Sequence, residues 1–191
     1  MVVTRVIVAL AIFAALGCGK YGRPVPPEAL SPAEVRDLAV AAQLGGVALS
    51  WRAPNQDLRS KELTSIEGYK IRRASTGGDE PATVIDVGFV EDTHLAVQAE
   101  LRAAAEAEGR ASRRIKADPA LSKFSFVDTT VESGRVYTYS IVPVNQGGTE
   151  GRVREALRVA FKGESSVVTR VPASGLAEAF AVQPPERDEE L

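Results

Sequence analysis

Histidine and cysteine each occur once in the 191 residues, as His94 and Cys18. A structural zinc site draws its ligands largely from these two residue types, an imidazole-based triad needs a nucleophile and an orienting acid beside its base, and a disulfide framework needs paired thiols. One histidine and one cysteine leave almost no material for any of the three. His94 follows Glu91 and Asp92, but neighbouring residues in a loop rarely converge on one ion, and further ligands are missing. Side chains one apart diverge, so Glu91 and Asp92 read as acids at a helix start rather than as an acid–base pair. Basic excess is absent too. The chain sets 23 Lys and Arg against 25 Asp and Glu, a formal charge of −2, which is too balanced for a nucleic-acid binder. No Walker loop, nucleophile elbow, CxxC pair or HExxH helix occurs. The expectation is a protein that is not an enzyme, needs no cofactor or metal, and takes neither nucleic acid nor a small-molecule substrate.

What is present is an ordinary globular composition, 45% apolar and 25% charged, behind an unusual start. A single charge, Arg5, precedes an unbroken apolar run from Val6 to Leu16. Eleven residues of helix cover roughly half of a ~30 Å hydrocarbon core, so the run reads as a secretory signal and not a membrane span. It ends at Ala15-Leu16-Gly17-Cys18, which resembles the lipobox of bacterial lipoprotein precursors, with Ala15 where Leu is usual and Leu16 where a small residue is usual. The resemblance implies cleavage after residue 17, a diacylglyceryl thioether on the Cys18 thiol, and an acylated, palmitate-type amino terminus. Three chains at roughly 0.8 kcal/mol per buried methylene make release negligible. It also implies a lipid-anchored place in the bacterial cell envelope, facing the periplasm or outside. The outer membrane is favoured over the inner, because Gly19 and not Asp follows the Cys. Residues 18–30 carry Pro24, Pro26 and Pro27 and read as an extended, polyproline-like tether.

From residue 31 the period becomes two, in short β-rich runs separated by turn residues. Val47, Leu49 and Trp51 share one face, as do Tyr69 and Ile71, and as do Tyr137, Tyr139 and Ile141. Turn signals stand at Gly45-Gly46, Gly77-Gly78, Ser133-Gly134 and Gly147-Gly148. The runs VALSWRAP (Val47–Pro54), GYKIRR (Gly68–Arg73) and Phe126–Gly151 together resemble a fibronectin type III domain, an immunoglobulin-like all-β sandwich. In that resemblance Trp51 is the core Trp at the end of the second strand and Tyr137 is the tyrosine-corner residue. Tyr139 stands where a disulfide-bearing immunoglobulin domain has Cys. Trp51, Tyr69, Tyr137 and Tyr139 are therefore expected in the core.

Residues 31–161 form this domain, interrupted by an apparent insertion at 89–122, whose removal leaves the roughly 100 residues usual for such sandwiches. Within the insertion, residues 95–108 (LAVQAELRAAAEAE) are strong helix formers, startable at Asp92 or Thr93, weakened at Gly109 and ended by Pro119. Glu100, Glu106 and Glu108 precede Arg110, Arg113, Arg114 and Lys116, an order that complements a helix dipole. Residues 162–191, ending in QPPERDEEL, read as a flexible acidic tail.

Two functions follow from this reading. The first is a lipid-anchored, non-enzymatic protein-interaction or adaptor module. It would bind an envelope protein through Ala53–Glu67, Asn145–Gly151 and the inserted helix. The second is an accessory or carbohydrate- or peptidoglycan-binding subunit of an envelope enzyme system. Sugar sites need exposed rings, and the chain leaves Tyr21, Phe89 and Phe180 as the candidates outside its strands' core faces.

Overall fold

Alternating apolar side chains bury one face of a strand, the pattern that Val47, Leu49 and Trp51 follow. The computed structural model describes residues 24–77, 80–115 and 119–180. In chain order these hold β1 (Arg36–Gln43), β2 (Gly46–Arg52), β3 (Gly68–Gly77), β4 (Glu80–Glu91), α1 (His94–Ala107), β5 (Lys123–Asp128), β6 (Val136–Val144), β7 (Glu155–Phe161), β8 (Ser166–Pro172) and α2 (Ala173–Ala179). Every strand pairing is antiparallel. The strands form a three-stranded sheet ordered β1-β2-β5 and a five-stranded sheet ordered β4-β3-β6-β7-β8. Through β7 this is the fibronectin type III sandwich, the all-β class that the sequence resembles.

The core lies between the sheets. Val47, Leu49 and Trp51 of β2 face Tyr69 and Ile71 of β3 and Tyr137, Tyr139 and Ile141 of β6, and all are buried. The Trp51 ring meets Tyr69 edge-on at 5.4 Å between centroids, and Tyr69 lies 4.9 Å from Phe124. Burying each of these side chains contributes about 1.5–3 kcal/mol, with ~1 kcal/mol more for each ring pair. The Tyr137 hydroxyl accepts the Glu132 backbone N–H at 2.8 Å, closing the tyrosine corner. The Trp51 indole N–H, by contrast, has no hydrogen-bond partner among the described residues.

A buried charge pair joins the sheets near the end of β5. Arg73 Nη1 lies 2.7 Å from Asp128 Oδ2, and the Tyr139 hydroxyl donates to the same oxygen at 2.8 Å. Thr130 donates its amide and its hydroxyl to Asp128 Oδ1, at 2.9 and 2.7 Å. The Arg73 guanidinium also stands 5.0 Å from the centre of the Tyr137 ring. Burial pushes the Asp128 carboxyl up, but the Thr130, Tyr139 and Arg73 hydrogen bonds outweigh it and hold the group below its ordinary value. Burial and the adjacent Asp128 charge push the Tyr139 hydroxyl up, so it remains a donor.

The structure corrects the sequence reading at both flanks. Pro27–Leu30 is a 3-10 turn, not extended tether. Pro at its first position supplies the required φ and loses no internal hydrogen bond. Residues 162–191 do not form a tail throughout. After a turn in which the Lys162 N–H bonds the Ser165 carbonyl, β8 adds to β7 along seven registered pairs, and α2 follows. Ser166-Val167-Val168-Thr169 has strong β preference but no buried face, so it gives a strand without the alternation that marks one. Arg170 of β8 holds Glu155 at 2.6 Å and reaches the Leu38 carbonyl of β1 at 3.3 Å, tying the new edge to the other sheet. Residues 181–191, with the acidic end, lie outside the described residues.

Candidate functional site

Strand direction decides which loops meet. β1 runs away from, and β2 back toward, the end of the sandwich where residues 53–67 begin, and β4 and β6 finish at that same end. The three segments proposed from sequence as a binding surface, 53–67, the inserted helix and 145–151, therefore lie together.

Hydrogen bonds fasten them to one another. Glu67 N–H donates to the Val144 carbonyl at 2.8 Å, and Gln146 N–H to Ser65 Oγ at 3.2 Å. Ala53 N–H donates to the Ser122 carbonyl at 2.8 Å, and Asp92 N–H to the Glu67 carbonyl at 2.8 Å. The lead into β1 is bound here too. Leu58 N–H donates to the Ser31 carbonyl at 3.0 Å, Ala33 N–H to the Gln56 carbonyl at 2.9 Å, and Arg152 N–H to the Pro32 carbonyl at 3.2 Å. A Cβ on Gly151 would come 2.3 Å from that Pro32 carbonyl oxygen, so glycine is what lets the two backbones cross.

Each loop also has its own polar anchor. The Asp57 carboxylate, buried at the base of segment 53–67, accepts the Arg59 and Lys61 amides at 2.8 and 3.0 Å and the Arg59 guanidinium at 2.7 and 2.9 Å. Desolvation raises its pKa, but these bonds and the Arg59 charge bring it below the ordinary carboxylate value. In segment 145–151 the Asn145 Oδ1 accepts the Gly147 and Thr149 amides at 3.0 and 2.9 Å. Glu150 holds Lys70 Nζ at 2.9 Å and Arg72 Nη2 at 3.2 Å, and the Lys70 bond leads the effects that lower its pKa.

The insertion is rooted by Asp92. Its carboxylate accepts the Tyr69 hydroxyl and the His94 N–H, and lies 2.6 Å from His94 Nδ1. Burial and the Asp92 charge push the Tyr69 hydroxyl well above its usual value, which keeps it a donor. The sequence argument that neighbours in this loop do not converge thus fails for Asp92 and His94, while Glu91 is exposed. Asp92, and not Thr93 at the cap position, takes the first helical amide with its side chain. α1 ends at Ala107, with Gly109 at φ +70° just beyond it, so Arg110, Arg113 and Arg114 follow the helix instead of completing its dipole, and Lys116 lies outside the described residues. Along its body α1 is lightly packed. Leu95 touches the core and Ala105 is buried, but Leu101 is 42% exposed. Arg102 reaches Glu62 at 3.5 Å.

Clefts open at this end. One of about 490 Å³ lies between the lead, Asn55-Gln56 and Arg152–Glu155, with Ile141 in its lining. Another, about 290 Å³, is bordered by Arg36, Asn55, Glu62, His94 and Gln98. Cys18 lies outside the described residues, whereas Trp51, Tyr69, Tyr137 and Tyr139 sit in the interior. Sequence reasoning missed Arg73, Asp128, Asp92 and Asp57 as buried polar anchors. The one available signal was Arg73, which shares strand parity with Tyr69 and Ile71.

No protein-family model matches the chain, and no curated protein matches it. Solved structures similar to it include the twitchin kinase region from C. elegans, at 14% identity and TM-score 0.42, covering 70% of this chain. The chain spans 17% of that one. A structure titled "Myokine structure" is 12% identical with TM-score 0.35, covering 70% of this chain and 98% of its own. The third fibronectin III domain of human KIAA0343 protein is 12% identical with TM-score 0.41, covering 77% and 95%. The fold class itself rests on the strand order and the tyrosine corner described above.

Proposed function

We propose that this chain is a lipid-anchored lipoprotein of the bacterial cell envelope that serves as a non-enzymatic protein-interaction or adaptor module, docking its partner at the loop end of the sandwich. The fibronectin type III fold is typical of interaction modules. The observation that carries the reading is the joining of segments 53–67, 92–122 and 145–151 into one hydrogen-bonded surface, with α1 rooted at Asp92 and open along its length. The anchor is the Cys18 thiol, on the strength of the apolar run and the lipobox-like residues before it. Cross-linking in intact cells, with the full chain and with one lacking residues 95–116, tests the docking. Loss of a specific partner from a still-folded deletion supports it, and an unchanged set of partners removes the helix from the surface.

Glycan binding by an accessory subunit is the rival. Among the described residues Phe89, at 48%, is the only aromatic ring more than about a third exposed, which is no stacking platform. Retention of residues 21–191 on purified peptidoglycan would reverse the order of the two readings.

A further inference from the structure

The same topology that gathers the loops also fixes where an N-terminal anchor pulls. The lead enters at the loop end, held there by the Ser31–Leu58, Ala33–Gln56 and Pro32–Arg152 main-chain bonds. Only nine peptide steps separate Cys18 from Pro27, where the lead's 3-10 turn begins. Fully extended chain covers at most about 3.6 Å per step and the 3-10 turn adds about 2 Å per residue before Ser31, so a lipid on Cys18 keeps the loop end within about 40 Å of the bilayer surface. β3, ten residues long, spans the sandwich from end to end, and at ~3.4 Å per residue it sets the opposite end roughly another 30 Å away. The two ends differ in kind. The far end consists of tight turns, including Leu44-Gly45, Ser133-Gly134 and Gly163, and exposes Leu44 at 82%. The loop end also receives α2, because β8 carries the chain back along β7.

Resting on the anchor reading above, we infer that the module stands loop end toward the membrane and turn end outward, and that the partner surface it reaches belongs to a protein embedded in that same bilayer. Protein is favoured over the lipid headgroups themselves because the loop end mixes Glu62 and Glu67 with Arg59, Lys61 and Arg102. Its basic residues are interleaved with acids, Arg110 holding Glu108 at 2.6 Å, and Phe89 is its single strongly exposed ring among the described residues, so it lacks the cationic face and the row of rings that seat a surface in the interface.

A thioether at Cys18 would leave the chain without a free thiol, so a cysteine introduced by Thr64→Cys, Gln146→Cys, Leu44→Cys or Ser133→Cys becomes its sole labelling site. Each full-length, lipidated variant is labelled with a fluorophore and placed in 3:1 phosphatidylethanolamine–phosphatidylglycerol vesicles carrying a headgroup nitroxide quencher. All four positions are exposed, so the label disturbs no packing. Labels at 64 and 146 are expected to be quenched at least twofold more than those at 44 and 133, and equal or reversed quenching overturns the orientation. Mass spectrometry of the Cys18 peptide from the same samples separates the two failures. An unmodified thiol there sinks the anchor and with it the inference, whereas equal quenching on an acylated chain sinks the orientation alone. Sedimentation of residues 24–191 with the same vesicles, without any anchor, overturns the choice of a protein partner, while its absence from the pellet supports that choice.

Discussion

Replacing Asp128 by Asn removes one charge from the interior at nearly constant side-chain size. The Asp128 side chain is 1% exposed and that of Arg73 is 11% exposed, 2.7 Å away. Asn keeps an acceptor for the Thr130 amide and hydroxyl but puts an amide NH2 where Oδ2 accepted from Arg73 and Tyr139, so the guanidinium loses both its counter-charge and its acceptor. Breaking one partner of a buried pair costs about 3–5 kcal/mol, because the remaining ion stays desolvated. A domain of this size holds roughly 5–15 kcal/mol in total, so Asp128→Asn should lower the urea midpoint by about 2 M at a slope near 2 kcal/mol/M. Arg73→Met alone removes the ion but strips the carboxylate of one bond. The double variant should recover part of the loss, giving a coupling of roughly 1–3 kcal/mol. The pH dependence has a definite sign. Asp128 titrates in the folded chain below its ordinary 3.8, so its stabilisation is fully present above about pH 5 and drains away as pH falls through and below 4. The gap between wild type and Asp128→Asn should therefore be constant near neutrality and shrink in acid. An Asp128→Asn cost below about 1 kcal/mol, or the same cost with and without Arg73, refutes the assignment of this pair as a buried ionic tie between sheets.

Three further changes probe other parts of the argument. Tyr137→Phe deletes the acceptor of the Glu132 amide and should cost about 1–3 kcal/mol in chemical denaturation, with near-UV circular dichroism otherwise unaltered. Gly151→Ala drives a methyl group into the Pro32 carbonyl; the expected loss is about 1–3 kcal/mol, together with faster hydrogen exchange at the Arg152 amide, which bonds that carbonyl. Ser60 sits at φ +61°, a conformation that costs a non-glycine residue about 1 kcal/mol, so Ser60→Gly should raise the melting temperature slightly instead of lowering it.

The interior was legible because its signal is local. Val47, Leu49 and Trp51 alternate with polar residues, and Tyr137 stands at the tyrosine-corner spacing, so a two-residue period and one turn suffice to read them. The buried acids were not legible for the opposite reason. Asp128 gains its role from Arg73, 55 residues earlier, and from Tyr139, and only the packed sheets bring those three together. Asp92 and His94 are two apart, yet their meeting depends on the chain turning from β4 into α1 over Tyr69. β8 fails differently. Its β-branched residues were visible, but an edge strand exposed on both faces lacks the apolar alternation by which strands are recognised, and composition alone reads it as tail.

These placements separate stability from presentation. Two of the buried acids take a tyrosine hydroxyl from the five-stranded sheet, Asp128 from Tyr139 and Asp92 from Tyr69. One locks the sheets together near the turn end, and the other fixes where the insertion leaves the sandwich. Past that root α1 buries little, so the core does not depend on it. Removing residues 95–116 spares Tyr69, Asp92 and His94, and leaves residues 92–94 and 117–122 to bridge β4 to β5, which already touch. The loss in stability should then be confined to the contacts of Leu95 and Ala105, about 2–4 kcal/mol as an upper bound from apolar burial. A deletion that leaves the sandwich unable to fold would refute this separation of α1 from the core.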